Sequence, residues 1–297
     1  MYRRRTRALH PRPRRWRSDG KHVNARAVAA WFAACLFIVL TTTNPVYKAL
    51  VLAAALLALA AGAGLHRIAR LLTAILVIGG FTAALNFVSA HVGTTVLFSL
   101  PGSLPAIGGP YTLEALVFGA AGGITIGSAI LAAAPFSLLI ASNDVVDALP
   151  QTFARTGAAI AASLNLVPEI GATFGQVSEA QRLRGWRPRG PRSWAEVVVP
   201  VVLTSVESSI QLAESMEARG FGSGPRTHVR PVRMIGGDWL LVAASAAAAV
   251  LFAISGIAGW AAPWAAYPTL SWPAVDLRPL VACLFLFAPV VTWRSRS

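Results

Sequence analysis

The chain has 297 residues, 55% of them hydrophobic and only 13% charged, with a formal net charge of +14. A soluble domain carries about 25% charged residues, so this composition excludes an ordinary water-soluble fold and, with its apolar content, a disordered chain. The positive charge suggests nucleic acid, but zinc-finger spacing and RNP-like aromatic segments are absent from the sequence. With long apolar runs present, a multi-spanning membrane protein at an anionic leaflet is the better reading.

The first 26 residues form a basic arm with ten Lys and Arg, and the apolar run behind it starts at Ala27. A basic stretch before an apolar run also describes a secretory signal. Here the arm is long, no Ala-x-Ala site follows the run, and another apolar run comes at once, so an uncleaved first span is expected.

Crossing the hydrocarbon core takes about 20 apolar residues. The candidates are Ala27 to Thr42, Tyr47 to Gly64, Ala69 to Val88, Leu113 to Ala141, Trp239 to Gly259 and Pro279 to Trp293. Asn44-Pro45 is a turn signal between the first two. The fourth is longer than needed and is expected to tilt or extend beyond the bilayer. Six spans with both termini in the cytoplasm put 24 of the 26 basic residues on one side, leaving Lys48 and Arg278 on the other. The expected fold is therefore all-α and polytopic, with about six transmembrane helices. It divides into the arm (1–26), four spans (27–141), a cytoplasmic region (142–237), and two last spans with a basic tail (238–297).

The span interiors lack Asp, Glu and Lys; Glu114, Asp238, Asp276 and Arg278 sit at edges. Ionisable residues at membrane depth usually mark ion or proton pathways. Their lack disfavours a coupled carrier and an intramembrane enzyme. Asn86 in the third span reads as an interhelical hydrogen-bonding residue. Cys35 and Cys283 lie in apolar runs without metal-ligand spacing and read as buried small hydrophobes. The five isolated histidines suggest neither a metal nor a catalytic site, and no cofactor is expected.

In the region 142–237, Asn143 to Leu149 reads as a short helix capped by Asn143. The Ala-rich segment from Thr152 to Leu166 is read either as a cytoplasmic helix or as one dipping into the membrane. Pro168 and Glu169 look like the opening of a new helix running to Arg184 and stopped by Gly185. A loop rich in Pro, Gly and Arg follows from Trp186 to Ser193. A second helix is expected from about Trp194 to Arg219, stopped by Gly220, with Pro200 early in it.

The two helix endings match. The first reads Ser178-Glu179-Ala180-Gln181-Arg182-Leu183-Arg184-Gly185-Trp186, and the second Ala213-Glu214-Ser215-Met216-Glu217-Ala218-Arg219-Gly220-Phe221. They lie 35 residues apart. Glycine permits the left-handed conformation just past a helix end, and arginine in the last turn suits the negative end of the dipole. One such ending usually means only a cap. Two on consecutive helices suggest paired docking points, because Arg can meet a carboxylate with two parallel hydrogen bonds. On the second helix, Glu207, Gln211, Glu214 and Ala218 share one side. Val199, Val202, Val206 and Ile210 form an apolar ridge elsewhere, packed either on the protein's own core or on a partner.

With these residues in view, the chain resembles the transmembrane (T) component of energy-coupling factor (ECF) transporters, which includes the CbiQ-like proteins of cobalt uptake. The family's mark is two Ala-Arg-Gly motifs at the ends of cytoplasmic coupling helices. The second is intact as Ala218-Arg219-Gly220, within Met216-Glu217-Ala218-Arg219-Gly220-Phe221-Gly222. The first departs, reading Leu183-Arg184-Gly185, with Ala180 four residues before the Arg. Thr43-Asn44-Pro45, Gly108 to Glu114, Asn143 to Pro150 and Pro225-Arg226-Thr227 are also similar to the family.

The resemblance implies a membrane scaffold and energy transducer without its own nucleotide site. Two cytoplasmic ATP-binding subunits would dock on Arg184 and Arg219, with Gly185 and Gly220 setting the helix ends. Ala180, Leu183, Glu214, Met216, Glu217 and Ala218 would support the motifs. A separate substrate-binding membrane subunit (S component) would select a vitamin or transition-metal ion. Anionic lipid at the inner leaflet of a prokaryotic cell membrane is a further expected partner, and nucleic acid is not. The sequence has no P-loop, so ATP chemistry belongs to a partner. Two other readings stay open here: the permease of an ordinary ABC importer, and a membrane-bound enzyme or assembly factor acting on lipid phosphates.

Overall fold

A computed structural model of the chain describes residues 24–62, 65–101, 108–140, 144–145, 148, 154–221 and 234–294. Most of the basic arm and the expected Asn143 cap lie outside the described residues. Among the described residues the elements are helices, apart from one two-stranded hairpin. The chain is an all-α polytopic membrane protein. Helices suit these apolar runs because each one satisfies its own backbone polar groups where water is absent.

Helix α1 (Ala25–Thr41) opens on Asn24, whose side-chain oxygen accepts the Arg26 amide at 3.0 Å. Helix α2 (Pro45–Gly62) starts with proline, whose missing amide is one the first turn leaves unpaired anyway. Before it, the buried Asn44 accepts the Val46 amide at 3.0 Å. Helix α3 (Leu65–Ser89) leads into strands β1 (Val96–Leu100) and β2 (Gly109–Thr112), which pair antiparallel with Phe98 opposite Tyr111. Their rings stack at 4.6 Å. Helix α4 (Leu113–Leu139) follows directly, with Thr112 accepting the Ala115 amide.

Helices α5 (Ala154–Leu183) and α6 (Ala195–Ala218) form a pair joined by a short loop. Helix α7 (Gly236–Ile257) and a C-terminal apolar stretch complete the bundle. That stretch is α8 (Leu277–Leu284), a 3-10 turn (Phe285–Phe287) and α9 (Ala288–Arg294). Ile68–Ser89, Leu113–Leu139, Arg192–Ala218 and Gly236–Ile257 are long and apolar enough to cross a membrane by length and composition. The helices at Ala25–Thr41, Pro45–Ala61 and Leu277–Trp293 are apolar but shorter.

The core sits among α1, α2, α4, α7 and the C-terminal stretch, where Trp31, Cys35, Val51, Leu59, Leu131, Leu241 and Leu286 are buried. Trp31 donates its indole N–H to the Leu286 carbonyl at 2.9 Å, tying the first helix to the last. Cys35 and Cys283 are both buried and unbonded, as their apolar settings predict. Helix α3 stands apart and packs chiefly on α4, leaving Leu76, Val77 and Phe81 exposed. The two helices meet along Gly119, Gly123 and Gly127 of α4, set at four-residue spacing against Asn86, Ala83, Gly79 and Ile75. Small residues at that spacing let membrane helices approach closely.

The α1–α2 turn lies well below the top of α4. Lys48 donates to the Thr125 hydroxyl at 2.8 Å, and its carbonyl accepts the Ser128 hydroxyl at 3.1 Å. Thr125 is twelve residues past Leu113, a descent of about 18 Å. Lys48, an edge residue by sequence, is thus half-buried against the middle of α4. The loop between α7 and α8 fills the space above. The Trp264 amide donates to the Thr43 hydroxyl at 2.9 Å, and the Ala274 carbonyl accepts from the Asn44 side chain. Asn86, expected to bond another helix, instead accepts from Tyr267 of this loop at 3.4 Å. Burial, reinforced by the Glu114 charge, pushes the Tyr267 phenol up, which keeps it a donor.

Candidate functional site

The α5–α6 pair packs on itself and shares no substantial packing with the bundle among the described residues. Its own small core is Trp186, Val197 and Val201, with Ile170, Phe174 and Val177 against them. Trp186 donates its indole N–H to the Ser193 carbonyl at 2.8 Å. Trp194 stacks on Phe174 at 6.0 Å and meets Trp186 edge-on at 5.4 Å. The connecting loop is pinned further by the Ser193 hydroxyl, which accepts the Arg189 amide and donates to the Gly190 carbonyl. Sequence reading gives the loop from Trp186 to Ser193 and allows Trp186 to pack back on its helix, as it does, but not the contacts it makes to Trp194 and Ser193. Their signal was the pair of tryptophans bracketing a Pro-, Gly- and Arg-rich loop.

One expectation is corrected here. Pro168 does not open a helix; α5 runs unbroken from Ala154 to Leu183 through it. A mid-helix proline removes one amide bond and crowds the carbonyl four residues back. That site, Leu164, is exposed along with Pro168, so the disturbance meets no packed neighbour. Pro200 likewise sits inside α6.

The two matched endings fold alike to the level of single hydrogen bonds. At the end of α5, the Trp186 amide donates to the Gln181 carbonyl at 2.9 Å and the Gly185 amide to the Arg182 carbonyl at 3.0 Å. At the end of α6, the Phe221 amide donates to Met216 at 2.9 Å and the Gly220 amide to Glu217 at 2.9 Å. Both are Schellman motifs, the paired bonds that close a helix behind a left-handed residue. Gly185 has φ +88° and Gly220 φ +73°, where a side chain would be strained. Arg184 and Arg219 therefore occupy the same cap position.

Both arginines are exposed. Among the described residues neither guanidinium makes a hydrogen bond or ion pair. Ala180, whose carbonyl accepts the Arg184 amide at 3.2 Å, is exposed, and so are Glu214, Glu217 and Ala218; Met216 is half-buried. Leu183 is 86% exposed, an unusual setting for leucine next to a charged cap. The aromatics after the glycines differ. Trp186 is buried in the elbow, whereas Phe221 is half exposed.

The structure does not bring the two arginines together. The Gln181 side chain reaches the Glu196 carbonyl at 3.3 Å, so the Arg184 cap lies beside the start of α6. Arg219 caps the end of that helix, 24 residues along. The two sites are separated by roughly the length of α6, about 35 Å. Between them Val199, Val202, Val206 and Ile210 are all about half exposed. The inward residues are Val197 and Val201, so the ridge is not packed on the protein's own core. No single small ligand spans that separation. The arrangement offers two separate, identical cationic caps with an apolar stripe between.

The family model for CbiQ, described as cobalt transport protein, matches residues 17–229. The chain belongs to this cobalt transport family. The match covers α1 to α6 and both arginine caps. A search of the curated proteins returned no match. CbiQ family membership makes the chain a membrane component of a transporter.

Proposed function

We propose that this CbiQ-family chain is the scaffold and energy-transducing subunit of an ATP-driven ECF-type importer. Two cytoplasmic ATP-binding subunits dock on Arg184 and Arg219. A substrate-binding membrane subunit covers the apolar stripe of α6. The cargo is a vitamin or transition-metal ion, with cobalt the ion that the family description names. The membrane is a prokaryotic plasma membrane, with both termini and the α5–α6 pair on the cytoplasmic side.

The observation that carries this reading is the pair of Arg caps of the same backbone hydrogen-bond pattern, about 35 Å apart on one packed helix pair. Two equivalent partners gripped at two such points receive a defined orientation, and movement of either is passed along α6. The guanidinium supplies a bidentate contact for a partner carboxylate, and the helix end supplies a fixed direction.

The test is co-purification of the ATP-binding subunits with Arg219→Glu, Arg184→Glu and the double variant, alongside uptake. Breaking one partner of a buried charge pair costs about 3–5 kcal/mol. Each single variant should weaken capture, and the double variant should abolish capture and uptake. Full capture and normal uptake in the double variant would remove the docking reading.

A further inference from the structure

The chain has two lysines, Lys21 and Lys48, and the function proposed above uses neither. Lys48 stands in the first turn of α2, three residues after Pro45. Its ammonium donates to the Thr125 hydroxyl at 2.8 Å, and that hydroxyl in turn donates to the Ala121 carbonyl at 2.8 Å. Thr125 lies one residue from the centre of α4, which spans Leu113–Leu139. Each half of α4 is about 20 Å long, more than the roughly 15 Å of hydrocarbon in one leaflet. The ammonium is therefore held near the midplane of the bilayer.

A charge at that depth is costly, so ionisable groups there face a partner or a polar cavity. Lys48 cannot reach the surface. Its side chain extends about 6 Å, against roughly 15 Å to a headgroup. One turn above Thr125, Ala121 is buried under Trp264 and Ala266 of the loop between α7 and α8, which closes the direct route outward. Among the described residues Lys48 makes this one hydrogen bond and no ion pair. The acids on the outer side of the bundle are engaged elsewhere. Glu114, eleven residues above Thr125 on α4, holds Thr94 and Thr95, and Asp276 caps α8 through the Arg278 amide. Two of the three ammonium N–H groups are left without an acceptor among the described residues.

The surface beside the ammonium is open. Lys48, Thr125, Gly122 and Ala129 are partly exposed, and Ile126 is 39% exposed. Gly122, Ile126 and Ala129 share one face of α4. A Cβ on Gly122 would meet only the Thr82 methyl, at 3.5 Å, so a second helix can approach the backbone closely there. A lipid phosphate does not reach this depth, and hydrocarbon accepts no hydrogen bond. Charge complementarity at the midplane therefore selects an acidic side chain carried on a helix. We propose that Lys48 pairs with an Asp or Glu carboxylate midway along a transmembrane helix of the substrate-binding membrane subunit, packed on the Gly122, Ile126 and Ala129 face. The inference rests on the proposed function only for the presence of that subunit, and is independent of docking at Arg184 and Arg219.

The experiment uses the full chain with its partner subunits in intact membranes. Dicyclohexylcarbodiimide, an apolar reagent, activates carboxyl groups inside the bilayer. Attack by the Lys48 amine then forms an amide, and dicyclohexylurea leaves. Mass spectrometry should find Lys48 joined to an Asp or Glu of the membrane subunit. In mild detergent, Lys48→Met should lower capture of that subunit at least about thirtyfold, the effect of stranding one partner of a buried charge pair. Lys48→Arg should restore most of it, and capture of the ATP-binding subunits should be the same for wild type and both variants. Should Lys48→Met fail to assemble at all, the wild-type adduct decides. Arg184→Glu with Arg219→Glu should remove the ATP-binding subunits and leave the Lys48 adduct, so the two readings fail separately. Undiminished capture by Lys48→Met, or membranes giving no adduct of Lys48 to a protein carboxyl, would overturn the proposal. So would labelling of Lys48→Cys in the assembled complex by a charged, water-soluble methanethiosulfonate, because the ammonium would then face water. A chain that captures ATP-binding subunits but no second membrane protein would overturn it too and leave docking intact.

Discussion

Gly123 of α4 and Gly79 of α3 cross in backbone contact, and the contact is lopsided. A Cβ on Gly123 would stand 2.8 Å from the Gly79 Cα, whereas a Cβ on Gly79 would find Gly123 at 3.7 Å. The first distance forces the helices apart, and the second is ordinary contact. Gly123→Ala should destabilise the protein by about 1–3 kcal/mol, the usual cost of overpacking. Gly79→Ala should be tolerated, and Gly80→Ala, with nothing within 4 Å, should be neutral or stabilising. Thermal unfolding in one detergent decides this. Equal midpoints for the Gly123 and Gly79 variants would show that the seam yields.

The same glycine argument separates Gly185 from the seam, because a Cβ there would meet nothing within 4 Å; what Gly185 and Gly220 share is the need for positive φ. A β-branched side chain there costs about 1–2 kcal/mol or more and unwinds the last turn. Gly220→Val should therefore weaken capture of the ATP-binding subunits while the bundle's unfolding midpoint stays put. Gly220→Asn, which tolerates the left-handed region, should retain capture. If valine and asparagine behave alike in co-purification, the helix-end geometry is not what directs Arg219.

These elements show where the sequence could be read and where it could not. The spans were legible because long uncharged runs have few alternatives, and the stops at Gly185 and Gly220 because a helix end makes local demands on local residues. Pro168 misled because a proline opening a helix and one tolerated on an exposed face look the same in one dimension. The α3–α4 seam was hidden because Gly119, Gly123 and Gly127 gain meaning only when Gly79 and Ala83 lie opposite them. The hairpin was missed although Val96-Leu97-Phe98 is a strand-like run. The exposure of Val199, Val202, Val206 and Ile210 is likewise a tertiary fact, set by which side of α6 the elbow uses.

Glu114 shows how a buried acid can serve structure. Its side chain is fully buried at the start of α4 and accepts from the Thr94 hydroxyl at 3.1 Å and the Thr95 amide at 3.0 Å, with the Thr94 amide at 3.3 Å. It thereby holds the entry to β1 against the head of α4. Glu114→Gln keeps an oxygen for the donors that meet Oε1, but it loses the charge and turns an amide donor toward the Thr95 amide that meets Oε2 at 3.3 Å, at about 1–3 kcal/mol. Amide exchange at Thr94 and Thr95 should accelerate, with α1 and α2 unchanged. Exchange at wild-type rates in the variant would mean that the strand pairing alone holds the segment.

Trp186 and Phe221 follow identical glycines yet face different surroundings, and this gives the last test. Trp186 is buried in the elbow with its N–H bonded to Ser193, while Phe221 is half exposed. Trp186→Ala removes the largest side chain of the α5–α6 core, at about 3–5 kcal/mol. Trp186→Phe keeps most of the packing and loses a hydrogen bond worth about 1 kcal/mol. The loop beside it carries Arg189 and Arg192, with Arg184 just before it, so trypsin reads its opening directly. Cleavage there should rise strongly for Trp186→Ala, slightly for Trp186→Phe, and not at all for Phe221→Ala. Phe221→Ala should instead reduce capture of the ATP-binding subunits, because a half-exposed aromatic next to a cap gains most from burial against a partner. A Phe221 variant that opens the loop, or a Trp186→Ala variant as resistant as wild type, would show that the two endings are not divided between holding the pair and meeting a partner.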